Sequence, residues 1–199
     1  MATCENTTPA RPNRNSLPKL VLPNRNADAE GDGFYVQVGN SFQRAPDARV
    51  IEYAQQRIAA QFCSGEKVIN PSQVADFLML QIGGRDHEVF AVMLLDKARR
   101  FIGYEELFQG TVDTAYVHVR RVLSCVIQSR ASGVVIAHNH PGGDCEPSHA
   151  DVRITYQLYR TLPMLEVELL DHMIVGKSVL SFASRGWLQA PWLSLHAGA

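Results

Sequence analysis

The sequence predicts an α/β fold with helices covering both faces of a sheet. Three observations carry this. EVFAVMLLD (88–96) and GVVIAH (133–138) are near-continuous apolar runs, the pattern of strands buried on both faces. Amphipathic segments with helical spacing lie between and around them. The 199 residues, 46% hydrophobic and 20% charged, suffice for one domain with a real core and a short appendage.

Residues 1–33 are rich in Pro, Asn, Thr, Ala and Gly and lack periodicity, which predicts a disordered or loosely attached arm. Arg11, Arg14, Lys19 and Arg25 against Glu5 give its first part a mild positive bias, which fits a solvated tail better than a nucleic-acid contact. Residues 34–69 form an extension with one helix from Ala45 to Phe62, where Val50, Ile51, Ala54, Ile58 and Phe62 share a face, and CSGEKV ends it.

A domain over 70–199 follows. NPSQVADFLMLQIGG predicts a helix capped by Asn70, with Pro71 in its first position, Gln73 completing a capping-box pattern, and Gly83 and Gly84 at its end. After the first buried strand, KARR reads as a turn and RFIGYEELFQG as a strand paired back onto it. VHVRRVLSCVIQSRA predicts a helix with Val119, Val122, Leu123, Val126 and Ile127 inward. GVVIAH is the second buried strand. SHADVRITYQLYRTL is a helix, LEVELLDHMIVG a strand, SVLSFA a short last strand and RGWLQAPWL a terminal turn.

A net charge of −1 supplies no global field toward nucleic acid or membrane. The bias to 15 Arg over 4 Lys carries little weight. Cys4, Cys63, Cys125 and Cys145 form no CxxC pair and read as reduced thiols of a cytoplasmic protein. The polar opening MATCENTTPARPNRNS predicts no signal peptide, and no apolar run is long enough to span a bilayer.

The chemistry concentrates in VVIAHNHPGGDCEPSHAD (134–151). His138 and His140 sit two apart at a strand end, so both rings share a face and can meet one cation. Asp151 follows on the first turn of the next helix. Two imidazoles and a carboxylate suit Zn²⁺ and leave a fourth position for water, as in a catalytic site. Ser148-x-x-Asp151 is equally a capping box, in which the Asp bonds back to the Ser backbone. Cys145 lies in the same loop with a soft donor atom, but Asp151 already fills the third ligand role. His149 reads as exposed, Asn139 and Asp144 as loop-shaping, and Gly142-Gly143 as a turn or a close backbone approach. The letters HNH do not mark the nuclease motif of that name, whose residues are dispersed.

His138, His140, Ser148 and Asp151 reproduce the JAMM motif, and AHNHPGGDCEPSHAD with LLDHMIVG, EVFAVMLLD, GTVDTAYVHVRRV and NPSQVADFL resembles the RadC-like branch of the JAB/MPN metalloproteases over about residues 70–189. The resemblance implies a cytidine-deaminase-like three-layer α/β/α fold with a mixed sheet. It implies Zn²⁺ on His138, His140 and Asp151, Glu88 as general acid/base with Glu105 and Glu106 as alternatives, and Ser148 assisting at the oxyanion. Asp171, beside His172, is either a partner to a ligand histidine or one of a pair that satisfies itself within the sheet.

Three departures stand out. Gly143 replaces the Ser of HNHPSG. His118-Val119-Arg120-Arg121 stands where the family has His-Pro-Arg-Glu. No helix-hairpin-helix glycine pattern precedes residue 70. The expected function is a zinc-dependent hydrolase of peptide or isopeptide bonds, linked by resemblance alone to DNA repair or mobile elements. The alternatives are a DNA-associated module with structural zinc and a zinc phosphodiesterase. The expected partner is a peptide or protein substrate, with DNA association weakly supported.

Overall fold

The computed structural model describes residues 20–21, 34–38, 41–62, 70–110 and 118–197. The chain divides into two compact units, Met1–Ala60 and Gln61–Ala199. Apart from 20–21, the arm expected over 1–33 lies outside the described residues. In the first unit, β1 (Leu20–Val21), β2 (Tyr35–Val38) and β3 (Ser41–Arg44) form an antiparallel sheet in that order. Helix α1 (Asp47–Phe62) follows, on the segment expected to be helical, with its last two residues across the unit boundary.

The second unit holds α2 (Pro71–Ile82), β4 (Glu88–Leu95), β5 (Phe101–Gly110), α3 (Val119–Ser129), β6 (Gly133–Asn139), α4 (His149–Thr161), β7 (Glu168–Val175), β8 (Val179–Ser181) and α5 (Ala190–His196). Their five strands form a mixed sheet in the order β5-β4-β6-β7-β8. Only β6 and β7 run parallel, and α4 is the crossover between them.

Alternation in β4 and β6 sends Phe90, Val92, Leu94, Val134 and Ile136 to one face. There they pack with Val122, Cys125 and Val126 of α3 and Leu158 of α4. Side chains of this size contribute about 1.5–3 kcal/mol each when fully buried. The opposite face belongs to α2. Its Phe77 meets Phe101 and Tyr104 edge-on, and these two residues pair with Leu95 and Met93 of β4. The fold is therefore α/β in three layers, as expected. Among the described residues, no helix is long and apolar enough to cross a membrane.

Several local expectations change. Asn70 caps α2 by accepting the Ser72 N–H and hydroxyl at 2.9 and 2.8 Å, in place of a box through Gln73. Gly83 keeps a right-handed helical conformation, with φ −65°. Ile127 is 60% exposed and Cys125 takes the inward position, because the buried stripe of α3 runs through Val122, Cys125 and Val126. The terminal turn is a short helix, α5, whose Leu193 is buried against Val152 and Phe182. Asp96 closes the β4–β5 turn by accepting the Ala98 and Arg100 N–H groups at 2.8 Å each.

Candidate metal centre

Where β6 ends, its backbone has delivered His138 on the helix-covered face, level with Phe90 of β4 and Ile174 of β7. His140 follows one residue past the strand and is tied down by its N–H to the Val175 carbonyl at 2.8 Å. The loop then turns back to open α4 at Ser148. Gly143 adopts φ +83°, a left-handed conformation that glycine takes without steric cost.

This path brings three donors together. His138 Nε2 lies 3.0 Å from His140 Nε2 and 3.1 Å from Asp151 Oδ1, and His140 Nε2 lies 3.6 Å from Asp151 Oδ2. Ligand atoms of all three fall within 4.8 Å of one another, forming the one such group among the described residues that could hold a metal ion. The donor chemistry fits. His140 Nδ1 is 2.9 Å from the Asp144 carbonyl oxygen, which can only accept. His140 Nδ1 therefore carries hydrogen, and when the ring is neutral Nε2 offers its lone pair toward the other two donors.

Asp151 is both a cap and a member of this group. Its Oδ2 accepts the Ser148 N–H at 2.7 Å and the Ser148 hydroxyl at 2.6 Å, while its own N–H donates to Ser148 Oγ at 3.2 Å. The capping box therefore aims the carboxylate as well as starting α4. Burial alone would raise the Asp151 pKa, but hydrogen bonds from His138 and His140, when their rings are protonated on Nε2, and from Ser148 outweigh it and hold the carboxyl far below its usual range. The bond to Asp151 raises His140 against the opposing effect of burial, and the Asp144 carbonyl and the Glu88 charge add to the rise.

Glu88 heads β4 on the same sheet face as Phe90, half-buried, at the end of the sheet where His138 and His140 emerge. Asn139, 1% exposed, fixes this segment: its side-chain oxygen accepts the Val89 N–H at 2.7 Å and its amide donates to the His87 carbonyl at 3.0 Å. A residue read as loop-shaping thus clamps the backbone on both sides of Glu88. Glu106 is engaged elsewhere, with Arg85 at 3.2 Å and Gln109 at 3.0 Å. Glu105 interacts with Cys125, whose thiol is pushed up to about 12, chiefly by burial.

The other sequence candidates separate. Cys145 Sγ turns to the Ser178 carbonyl at 3.1 Å and is not in the cation group, and His149 is exposed. Among the described residues the free cysteines are Cys125 and Cys145; Cys4 and Cys63 lie outside them. Asp171 is bonded to neither a ligand histidine nor the His172 ring. It accepts from Ser181 Oγ at 2.5 Å and the Ala183 N–H at 2.9 Å, and burial raises its pKa. The residue that reaches the site is its neighbour. His172, 0% exposed, places Nε2 2.9 Å from His138 Nδ1 and Nδ1 2.6 Å from Thr155 Oγ1. Complete burial pushes His172 well below the usual imidazole range, so the ring is neutral.

Sequence spacing held one signal for this pair: Thr155 is four residues after Asp151 and shares its helix face. His172 was hidden by an irregularity in the β6–β7 pairing, where Val134 faces Leu169 but Val135 faces Asp171. The extra residue, Leu170, changes which side chains point inward.

The loop also depends on the β7–β8 turn. Lys177 N–H donates to the Gly143 carbonyl at 2.9 Å, and a Cβ on Gly176 would stand 2.5 Å from that oxygen and 2.8 Å from Cys145 Sγ. Gly176→Ala is expected to push the loop off this turn and cost about 1–3 kcal/mol, measured as a lower denaturant midpoint.

A family profile for the RadC-like JAB domain matches residues 68–187. A UPF0758 protein of Shewanella baltica strain OS185 is 43% identical over 159 residues, 75% of this chain and 71% of its own length. A UPF0758 protein of Vibrio cholerae is 44% identical over 146 residues, 73% of this chain and 92% of its own. With that match spanning the sheet, the His-x-His strand end and the helix bearing Asp151, the chain belongs to the RadC-like JAB domain family.

Proposed function

We propose that the protein is a zinc-dependent hydrolase of peptide or isopeptide bonds, acting through His138, His140 and Asp151 as ligands, Glu88 as general acid/base and Ser148 at the oxyanion. The observation that carries the reading is the convergence of the two Nε2 atoms and Asp151 within about a ligand shell, at the sheet end that also bears Glu88. Three protein ligands leave a fourth position, the pattern of catalytic rather than structural zinc. Zinc held there supplies Lewis acidity, activating water and polarising a carbonyl.

The chain's own groups do the rest. Glu88 takes a proton from the attacking water and returns it to the leaving amine. Glu88 is half-buried, and Asn139 clamps the backbone on both sides of it, which supports its side chain's approach to the ligands. The Ser148 hydroxyl, at the exposed N-terminus of α4, turns from Asp151 to the oxyanion as charge develops there. A donor in such a role is worth about 3 kcal/mol.

The test is metal analysis of the wild type beside His138→Ala, with both preparations assayed on peptide, isopeptide and DNA substrates. The expected result is about one zinc per chain in the wild type, loss of zinc in the variant, and zinc-dependent cleavage of a peptide or isopeptide bond. Cleavage confined to phosphodiesters would replace the reading with a phosphodiesterase. Salt-sensitive DNA binding without turnover would replace it with a DNA-associated module in which zinc is structural. The cytoplasmic setting belongs to the same proposal.

A further inference from the structure

We propose that Thr155 and His172 form a polarised hydrogen-bond chain that fixes the tautomer of His138, making both of them positioning residues for the metal site. The tautomer follows from contacts within the protein; only its consequence for zinc rests on the reading above.

The chain is anchored at one end. Thr155 Oγ1 lies 2.5 Å from the backbone carbonyl of Asp151. A carbonyl cannot donate, so the hydroxyl spends its single hydrogen there. His172 Nδ1, 2.6 Å from the same Oγ1, must then be the donor to it. His172 is fully buried and its two ring nitrogens meet only Thr155 Oγ1 and His138 Nδ1, with no carboxylate to stabilise a second proton, so with Nδ1 as the donor its Nε2 bears a lone pair. His138 Nδ1, 2.9 Å away, therefore carries hydrogen and donates into that lone pair. The remaining nitrogen of His138, Nε2, is the one that faces His140 and Asp151. Reversing any link would leave the Thr155 oxygen against the Asp151 carbonyl with no hydrogen between them.

One turn of α4 thus does two things. Asp151 offers its side chain to the site, and its backbone carbonyl, through Thr155 and His172, turns the lone pair of His138 toward the same point. His140 reaches the same state by a shorter route, through the Asp144 carbonyl. A ligand histidine is commonly backed by a carboxylate, carbonyl or water. Here the backing group of His138 is an uncharged ring, which adds no negative charge beside the metal and so spares its Lewis acidity.

Long-range ¹H–¹⁵N NMR of the metal-free protein, at a pH where the ¹⁵N shifts themselves show neutral rings, reads the tautomers directly. Both His138 and His172 are expected to be protonated on Nδ1. Thr155→Val removes the acceptor, so His172 moves its hydrogen to Nε2 and donates into His138 Nδ1, driving the His138 hydrogen to Nε2. Zinc affinity, by competition with a chromophoric chelator, should then fall about 10–100-fold, and Thr155→Ser should restore both tautomer and affinity. His138 protonated on Nε2 in the wild type would overturn the proposal. So would a folded Thr155→Val protein with its His138 pattern unchanged and zinc affinity within about twofold of wild type. A wild type that binds no zinc defeats the metal reading alone, since its NMR pattern still decides the chain. If Thr155→Val does not fold, the wild-type pattern decides it too.

Discussion

Glu88→Gln is expected to keep its zinc and lose hydrolysis, with kcat down by about 10²–10⁴-fold, the usual contribution of a positioned acid/base. The separation of the two effects is the point. Glu88 lies outside the group of donors that could share an ion, so the substitution takes nothing from the metal. Gln matches Glu in size and can still accept a hydrogen bond, but it cannot take up a proton near neutral pH. The backbone clamp is untouched, because Asn139 bonds to Val89 N–H and the His87 carbonyl rather than to the Glu88 side chain. Metal analysis and steady-state kinetics on the peptide or isopeptide substrate cleaved by the wild type make the comparison. Turnover within about fivefold of wild type would remove Glu88 from the scheme. Neither Glu106, held by Arg85 and Gln109, nor Glu105, set against Cys125, is free to replace it without breaking those contacts.

The features that position this site were legible in unequal measure. Strands β4 and β6 announce themselves because both their faces are buried, which leaves no room for polar alternation. The His-x-His pair and the Ser148–Asp151 spacing are local, so ideal strand and helix periodicities bring their side chains into register. What stayed hidden depends on pairing between distant segments. Asn139 contacts residues about fifty positions away, where the β4–β6 ladder ends and a side chain takes over from the backbone. His172 enters the site because of the irregular step at Leu170, and no period-2 count anticipates one extra residue. Ile127 fits a helical stripe on paper, yet α3 is rotated so that Cys125 is buried and Ile127 is exposed; both positions satisfy the same 3.6-residue spacing to within a turn.

Asp151→Asn separates the two duties of that residue. Asn retains an oxygen able to accept the Ser148 N–H, so the start of α4 is largely kept and the cap should lose at most about 1 kcal/mol. The anionic ligand is gone, and zinc affinity should fall by more than the roughly 10–100-fold typical of losing an outer partner. The metal-free proteins should also differ in how stability follows pH. In the wild type, Asp151 is shifted down by His138 first and then by His140 and Ser148, and His140 is shifted up chiefly by Asp151. The lowered carboxyl contributes stability above its unfolded value of about 4 and loses it as pH falls through the folded value. The raised imidazole contributes fully below its unfolded value of about 6.5 and loses it as pH rises through the folded value. Both contributions are present near about pH 5, so chelator-treated wild type should be more stable there than near about pH 8. Asp151→Asn should flatten that slope, leaving the smaller effects of the Asp144 carbonyl and the Glu88 charge on His140. Denaturant midpoints of the two metal-free proteins at both pH values provide the measurement. A variant with the same pH slope as wild type would mean that Asp151 and His140 are not paired in the metal-free fold, and the three-donor geometry would lose its electrostatic support.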